Sequence, residues 1–266
     1  MPPIGIHFLV NFAIAGAVTY VLRSKASKTV LAAISYGLIF GSVIPDTDLI
    51  LSSLSFLVTF DTGAGKLIHR TFTHSIFGIV PIILVGLVGF LILVKKKEND
   101  DKDIFSFKNR KYLYTFILAL GVGMAIHTVL DLFYLVGVKT FFPISTSEFL
   151  LGPLRKENLS TPLNNLINGI DFITDTIYYM LIFYLATGYR TNMKKKRYLT
   201  YFTVINLIIF IPLTLIFFSS VTYDGFLIIS YIPGVIFIFV STLWVPLYFK
   251  DTFDRFGNRL AKDKSE

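Results

Sequence analysis

The chain has 266 residues, 54% of them hydrophobic and 16% charged, with a mean hydropathy of +0.67. An ordinary soluble domain is about 45–50% apolar and about 25% charged, so this composition excludes a water-soluble globular protein. The net charge of +8 sits in short loops between apolar blocks, which argues against a nucleic-acid partner, and the absence of cysteine excludes disulfides and thiolate metal sites.

Seven apolar segments follow one another along the chain, at roughly 5–22, 30–57, 75–94, 112–138, 165–188, 199–219 and 226–249. They predict an all-α, polytopic transmembrane helical bundle of about seven spans. The first has no basic flank and no small-residue cleavage site, so it reads as a retained span. The second is broken near "GSVIPDTD", where Pro45 removes a backbone donor and Asp46 and Asp48 follow. Broken helices at membrane depth occur where they line a protein cavity. The expected organisation is a five-span domain over 1–188, a two-span extension over 189–249 and a charged tail over 250–266.

The loops after spans one, three, five and seven carry 20 Lys/Arg, and those after spans two, four and six carry 5. Cytoplasmic loops collect positive charge. The expected location is therefore the cell membrane, with the N-terminus outside and the C-terminus cytoplasmic.

In that topology the histidines and several acids fall at one depth, on the outer side. His7 opens span one, and Asp46 and Asp48 lie late in span two. His69 and His74 precede span three, His127 and Asp131 lie late in span four, and Asp171 and Asp175 open span five. Ionisable residues at such positions are functional candidates. His127 and Asp131, four apart, share a helix face, as do Asp171 and Asp175. Asp46 and Asp48 are about 200° apart on a regular helix and can meet one site only where the helix breaks. His69 and His74 are five apart, which suits a loop and a first helical turn, with Thr73 as a candidate cap.

Imidazole with carboxylate and no sulfur suits a divalent metal, zinc first, with manganese or iron as alternatives, and either one or two ions. A pair of ions can activate water and stabilise the leaving oxygen of a phosphoester. Arg70, with its planar fork, reads as a phosphate clamp. Taken singly, each residue has a plainer reading: a satisfied buried histidine, a half-helix cap at Asp46, an interfacial anchor at Arg70.

These motifs resemble the YdjM-like family of membrane-bound metal-dependent hydrolases. The resemblance rests on "IGIHFLVN" (His7), "GSVIPDTD" (Asp46, Asp48), "HRTFTHS" (His69, Arg70, Thr73, His74, Ser75), "HTVLDLF" (His127, Asp131) and "GVKTFFPIS", with a later acid at Asp171 or Asp175. It covers roughly residues 1–185. It implies a metal-dependent hydrolase with His7, Asp46, Asp48, His69, His74, His127, Asp131 and Asp175 as ligands. Asp48, Arg70 and His74 would be catalytic, and Arg70, Thr73 and Ser75 would hold substrate. A membrane lipid or lipid-linked phosphoester reached from the outer leaflet is the expected substrate. No HExxH or GxSxG motif is present, which argues against zincin proteases and serine hydrolases. A metal-ion transporter or channel would need polar groups in both membrane halves, and the inner halves of spans one to five are nearly bare of them. A scaffold with a structural metal would need only a closed set of four ligands.

Overall fold

In a computed structural model of the chain, residues 4–48, 55, 58, 70–94, 109–133 and 137–151 are described, and every element below lies among them. The chain divides into two compact units, Met1–Leu159 and Ser160–Glu266, and all the described residues belong to the first. The spans expected at 165–188, 199–219 and 226–249, and the boundary expected at 188, lie outside them.

Four α-helices carry the fold: α1 (Ile4–Leu22), α2 (Lys28–Gly41), α3 (Ile76–Val94) and α4 (Arg110–Leu132). Among the described residues α4 is the helix long and apolar enough to cross a membrane. Its 23 residues reach about 34 Å at 1.5 Å per residue, against a hydrocarbon core of about 30 Å. Side-chain caps set two of the starts. Ser27 accepts from Val30 N at the head of α2, and Asn109 accepts from Tyr112 N at the head of α4.

The expected break in the second segment is present, and it begins before Pro45. α2 ends at Gly41, Ser42 caps it, and Pro45–Thr47 form a short 3-10 turn. The fourth segment stops earlier than the expected 138. α4 ends at Leu132, and Val138 turns away to pair antiparallel with Phe149. Leu151 N then bonds to Leu132 O at 2.7 Å and ties the returning segment to the helix end. A β-branched and aromatic run after a helix gains more from such pairing than from further helical turns.

Glycines set the packing. A side chain on Gly41 would run into the Leu120 carbonyl, and one on Gly123 would sit 2.6 Å from Leu38 O. The backbones of α2 and α4 therefore approach as only small residues allow. Across this seam Gly37 meets Ala119, and Gly41 meets Gly123, so α2 and α4 run parallel. Across the other seam Gly86 meets Leu118, and Gly89 meets Tyr114, so α3 runs antiparallel to α4. Ala15, Leu38 and Ala119 form the apolar centre between α1, α2 and α4. Thr19 and Ser35 add a 2.8 Å hydrogen bond between α1 and α2. This alternation brings the start of α1, the break after α2, the entry to α3 and the end of α4 to one end of the bundle.

Candidate metal centre

Every histidine and aspartate among the described residues lies at that end: His7, Asp46, Asp48, His74, His127 and Asp131. All six are buried, and His7, His74 and His127 have no exposed surface. Burying so many ionisable groups together is costly unless charges and hydrogen-bonding capacity are matched.

Asp131 is the hub. Its Oδ1 is 3.3 Å from His7 Nε2 and its Oδ2 is 3.2 Å from His74 Nε2 and 3.5 Å from His127 Nε2. Asp46 Oδ1 stands 3.6 Å from both His74 Nε2 and His127 Nε2. The His7 and His127 rings stack with centroids 3.7 Å apart, and His74 meets His127 edge-on at 5.1 Å. The helical spacing of His127 and Asp131 does bring them together, and the break at Ser42–Thr47 does free Asp46 to join them.

The outer ring nitrogens decide what the inner ones can do. His127 Nδ1 donates to the Ser42 carbonyl at 2.7 Å. Thr73 Oγ1 gives its single proton to Asp48 Oδ2 at 2.9 Å, so it accepts from His74 Nδ1 at 3.1 Å. Both rings are thereby assigned Nδ1–H, and each turns an Nε2 lone pair toward carboxylate oxygens. Carboxylate oxygens facing these Nε2 atoms favour a positive charge between them, as a proton on the ring or as a metal ion. Ligands 2.0–2.1 Å from one tetrahedral zinc stand about 3.3 Å from each other, close to the separations found here. His7 Nε2, His127 Nε2 and Asp131 Oδ2 make no well-formed hydrogen bond despite their crowding. Two groups of ligand atoms could hold a metal ion: His7, His127 and Asp131, and Asp46, His74 and His127. The residues present therefore fit a divalent metal.

Several of the expected site residues make contacts with other parts of the cluster. Asp48 stands in neither group. Its Oδ2 accepts from Arg70 N at 2.9 Å and from Thr73, so Asp48 holds the turn that carries His74. Arg70 is buried rather than open to a substrate anion, and its guanidinium points to Asp131 Oδ1 at 3.3 Å and the Gly137 carbonyl at 3.5 Å. It adopts φ 59°, a left-handed conformation that a non-glycine residue holds only when its surroundings over-determine it. Ser75, not Thr73, caps the following helix. Ser75 Oγ accepts from Gly78 N at 3.2 Å and donates to Phe72 O at 3.0 Å. Ser75 has no exposed surface, and its hydroxyl is engaged in the turn. His69, Asp171 and Asp175 lie outside the described residues.

Sequence reasoning missed the carbonyls of Ser42 and Gly137, because any residue type can supply a backbone oxygen. The interrupted helix at Ser42 was the one available signal.

A profile of the YdjM inner membrane protein family matches residues 1–245. The match runs past residue 185, where the recognisable motifs end, and takes in the apolar segment at 199–219 and most of that at 226–249. No curated protein and no solved structure matches the chain.

Proposed function

The chain belongs to the YdjM inner membrane protein family, and on that premise we propose that it is a membrane-bound, metal-dependent hydrolase. Its substrate is a lipid or lipid-linked phosphoester at the outer leaflet. One observation carries the reading: buried Nε2 lone pairs of His74 and His127 converge with Asp46 and Asp131 oxygens at metal-ligand separations. A divalent ion held by these residues would supply Lewis-acid chemistry, polarising a phosphoryl oxygen and lowering the pKa of a nearby water. Zinc suits the donor set best, with manganese or iron next.

The protein's own groups do the rest. Asp46 Oδ2 is buried and has no hydrogen-bond partner among the described residues, so it is the proton acceptor for the attacking water. The new P–O bond forms to that water, the ester P–O bond breaks, and the proton passes to the leaving alkoxide. Arg70 and Asp48 act on the ligands rather than on the substrate. Arg70 neutralises and orients Asp131, and Asp48 fixes His74 through Thr73. The loop-charge asymmetry supports a site on the extracytoplasmic side. A transporter is disfavoured because no histidine or acid among the described residues lines α1–α4 toward their other ends.

The test is hydrolysis by purified protein in mixed micelles, stripped with chelator and reloaded with zinc or manganese. Lipid phosphomonoesters and phosphodiesters are the probes. Expected is turnover that requires the metal and disappears in Asp46→Ala. A fully metallated protein with no turnover above metal salt on any probe would refute the hydrolase reading. Orientation is checked separately with Lys66→Cys and Asp100→Cys, since the chain has no native thiol. An impermeant reagent applied outside should label position 66 and spare position 100, and the reverse pattern would overturn the orientation.

A further inference from the structure

The two ligand groups invite a pair of ions, but they have one atom in common. His127 belongs to both groups. Its Nδ1 is spent on the Ser42 carbonyl at 2.7 Å, so its only free lone pair is at Nε2. One lone pair binds one ion. Nε2 is also 3.6 Å from Asp46 Oδ1 and 3.5 Å from Asp131 Oδ2, so both carboxylates approach the same nitrogen.

Charge leads independently to the same count. Among the described residues the buried cluster contains the carboxylates of Asp46, Asp48 and Asp131 against the guanidinium of Arg70, and histidines that ligate a metal do so as neutral rings. The excess is two negative charges, which one divalent cation cancels. A second dication would leave two positive charges buried without counter-charge among the described residues, a costly arrangement.

We infer that the His7/His127/Asp131 and Asp46/His74/His127 groups are two halves of one mononuclear site, with His127 as the shared ligand of a single divalent ion. Asp131 closes the shell, meeting His7 through Oδ1 and the other two histidines through Oδ2. This rests on the metal-centre reading above and sharpens it from one or two ions to one.

The decisive quantity is the number of ions lost when the shared ligand is removed. Chelator-stripped full-length protein in detergent is reloaded with zinc by equilibrium dialysis, and zinc per chain is counted by elemental mass spectrometry. The count for His127→Ala, subtracted from that for wild type, should be one. His7→Ala should bind more weakly yet reach the wild-type count at saturation. A loss of two ions in His127→Ala, or of one ion in His7→Ala at saturating zinc, overturns the mononuclear site. Two zinc ions bound per wild-type chain would likewise overturn the mononuclear site, and none would overturn the metal centre as well. Should His127→Ala fail to fold, manganese-loaded wild type decides by electron paramagnetic resonance. The hyperfine pattern of an isolated ion is expected, and exchange-coupled spectra would refute it. Failure of the hydrolase reading would appear instead as absent turnover with the ion count intact.

Discussion

The candidate metal centre is supplied from two unlike pieces of backbone. On α4, His127 and Asp131 sit one turn apart on a regular helix. Their 3.5 Å approach needs only the helix itself. Across from them, His74 rides on the turn from Arg70 to Ser75, which has a left-handed residue and a single 3-10 turn. That segment cannot hold its shape alone. Asp48 braces it through Arg70 N and Thr73 Oγ1, the Arg70 side chain ties it to Asp131, and Ser75 closes it onto α3. A ligand on a regular helix is positioned by backbone geometry, whereas a ligand on a turn is positioned by neighbouring side chains. The helix half should therefore fail by losing charge balance, and the turn half by losing support.

The largest effect is expected at the point where both halves meet. Asp131→Ala removes the carboxylate shared by His7, His74 and His127 and leaves the Arg70 guanidinium buried without that partner. Removing one member of a buried pair costs about 3–5 kcal/mol. Chemical unfolding in detergent should show a loss of that order together with loss of bound zinc. Retention of both would mean that Asp131 is not the hub.

Gly86→Leu comes next and probes the scaffold away from the site. The new side chain would meet Leu118 across the α3–α4 seam. Overpacking of this kind costs about 1–3 kcal/mol. Stability should fall while the folded fraction keeps its full zinc complement. Loss of zinc in step with stability would show that seam and site are not separable.

The same contrast explains what was legible in the sequence. His127 and Asp131 were readable as a pair because the helical period fixes a four-residue spacing on one face. Asp46 was readable because Pro45 advertised a break, although the helix already ends at Gly41. The turn was harder. The five-residue spacing of His69 and His74 signalled irregular backbone, but nothing local distinguishes a cap from a brace between Thr73 and Ser75. Arg70 looked like an anion clamp because its preferred partner is a carboxylate or phosphate. Which of these it meets depends on Asp131, 61 residues away. The expectation of seven spans rests on apolar length and loop charge, which report on the bilayer rather than on side-chain contacts.

Within the turn, Thr73→Val should act on the metal more than on the fold. It deletes the hydroxyl that links Asp48 to His74 Nδ1 and so releases the ring from its tautomer. Losing an outer-shell partner typically costs about 10–100-fold in metal affinity. A competition titration against a chromophoric zinc chelator would read this directly. An unchanged affinity would remove Thr73 from the support of His74.

Ser75→Ala is the smallest of these changes and the sharpest test of the division of labour between neighbours. Ser75 Oγ serves the first turn of α3 through Gly78 N and makes no bond to a ligand ring. Replacing an N-cap serine by alanine costs about 1 kcal/mol. The variant should thus lose about that much unfolding free energy while holding zinc as tightly as wild type, the inverse of Thr73→Val. Were Ser75→Ala instead to weaken zinc and spare stability, the two hydroxyls would have exchanged roles. The cap would then belong to Thr73, and Ser75 would return to the set of residues facing the substrate.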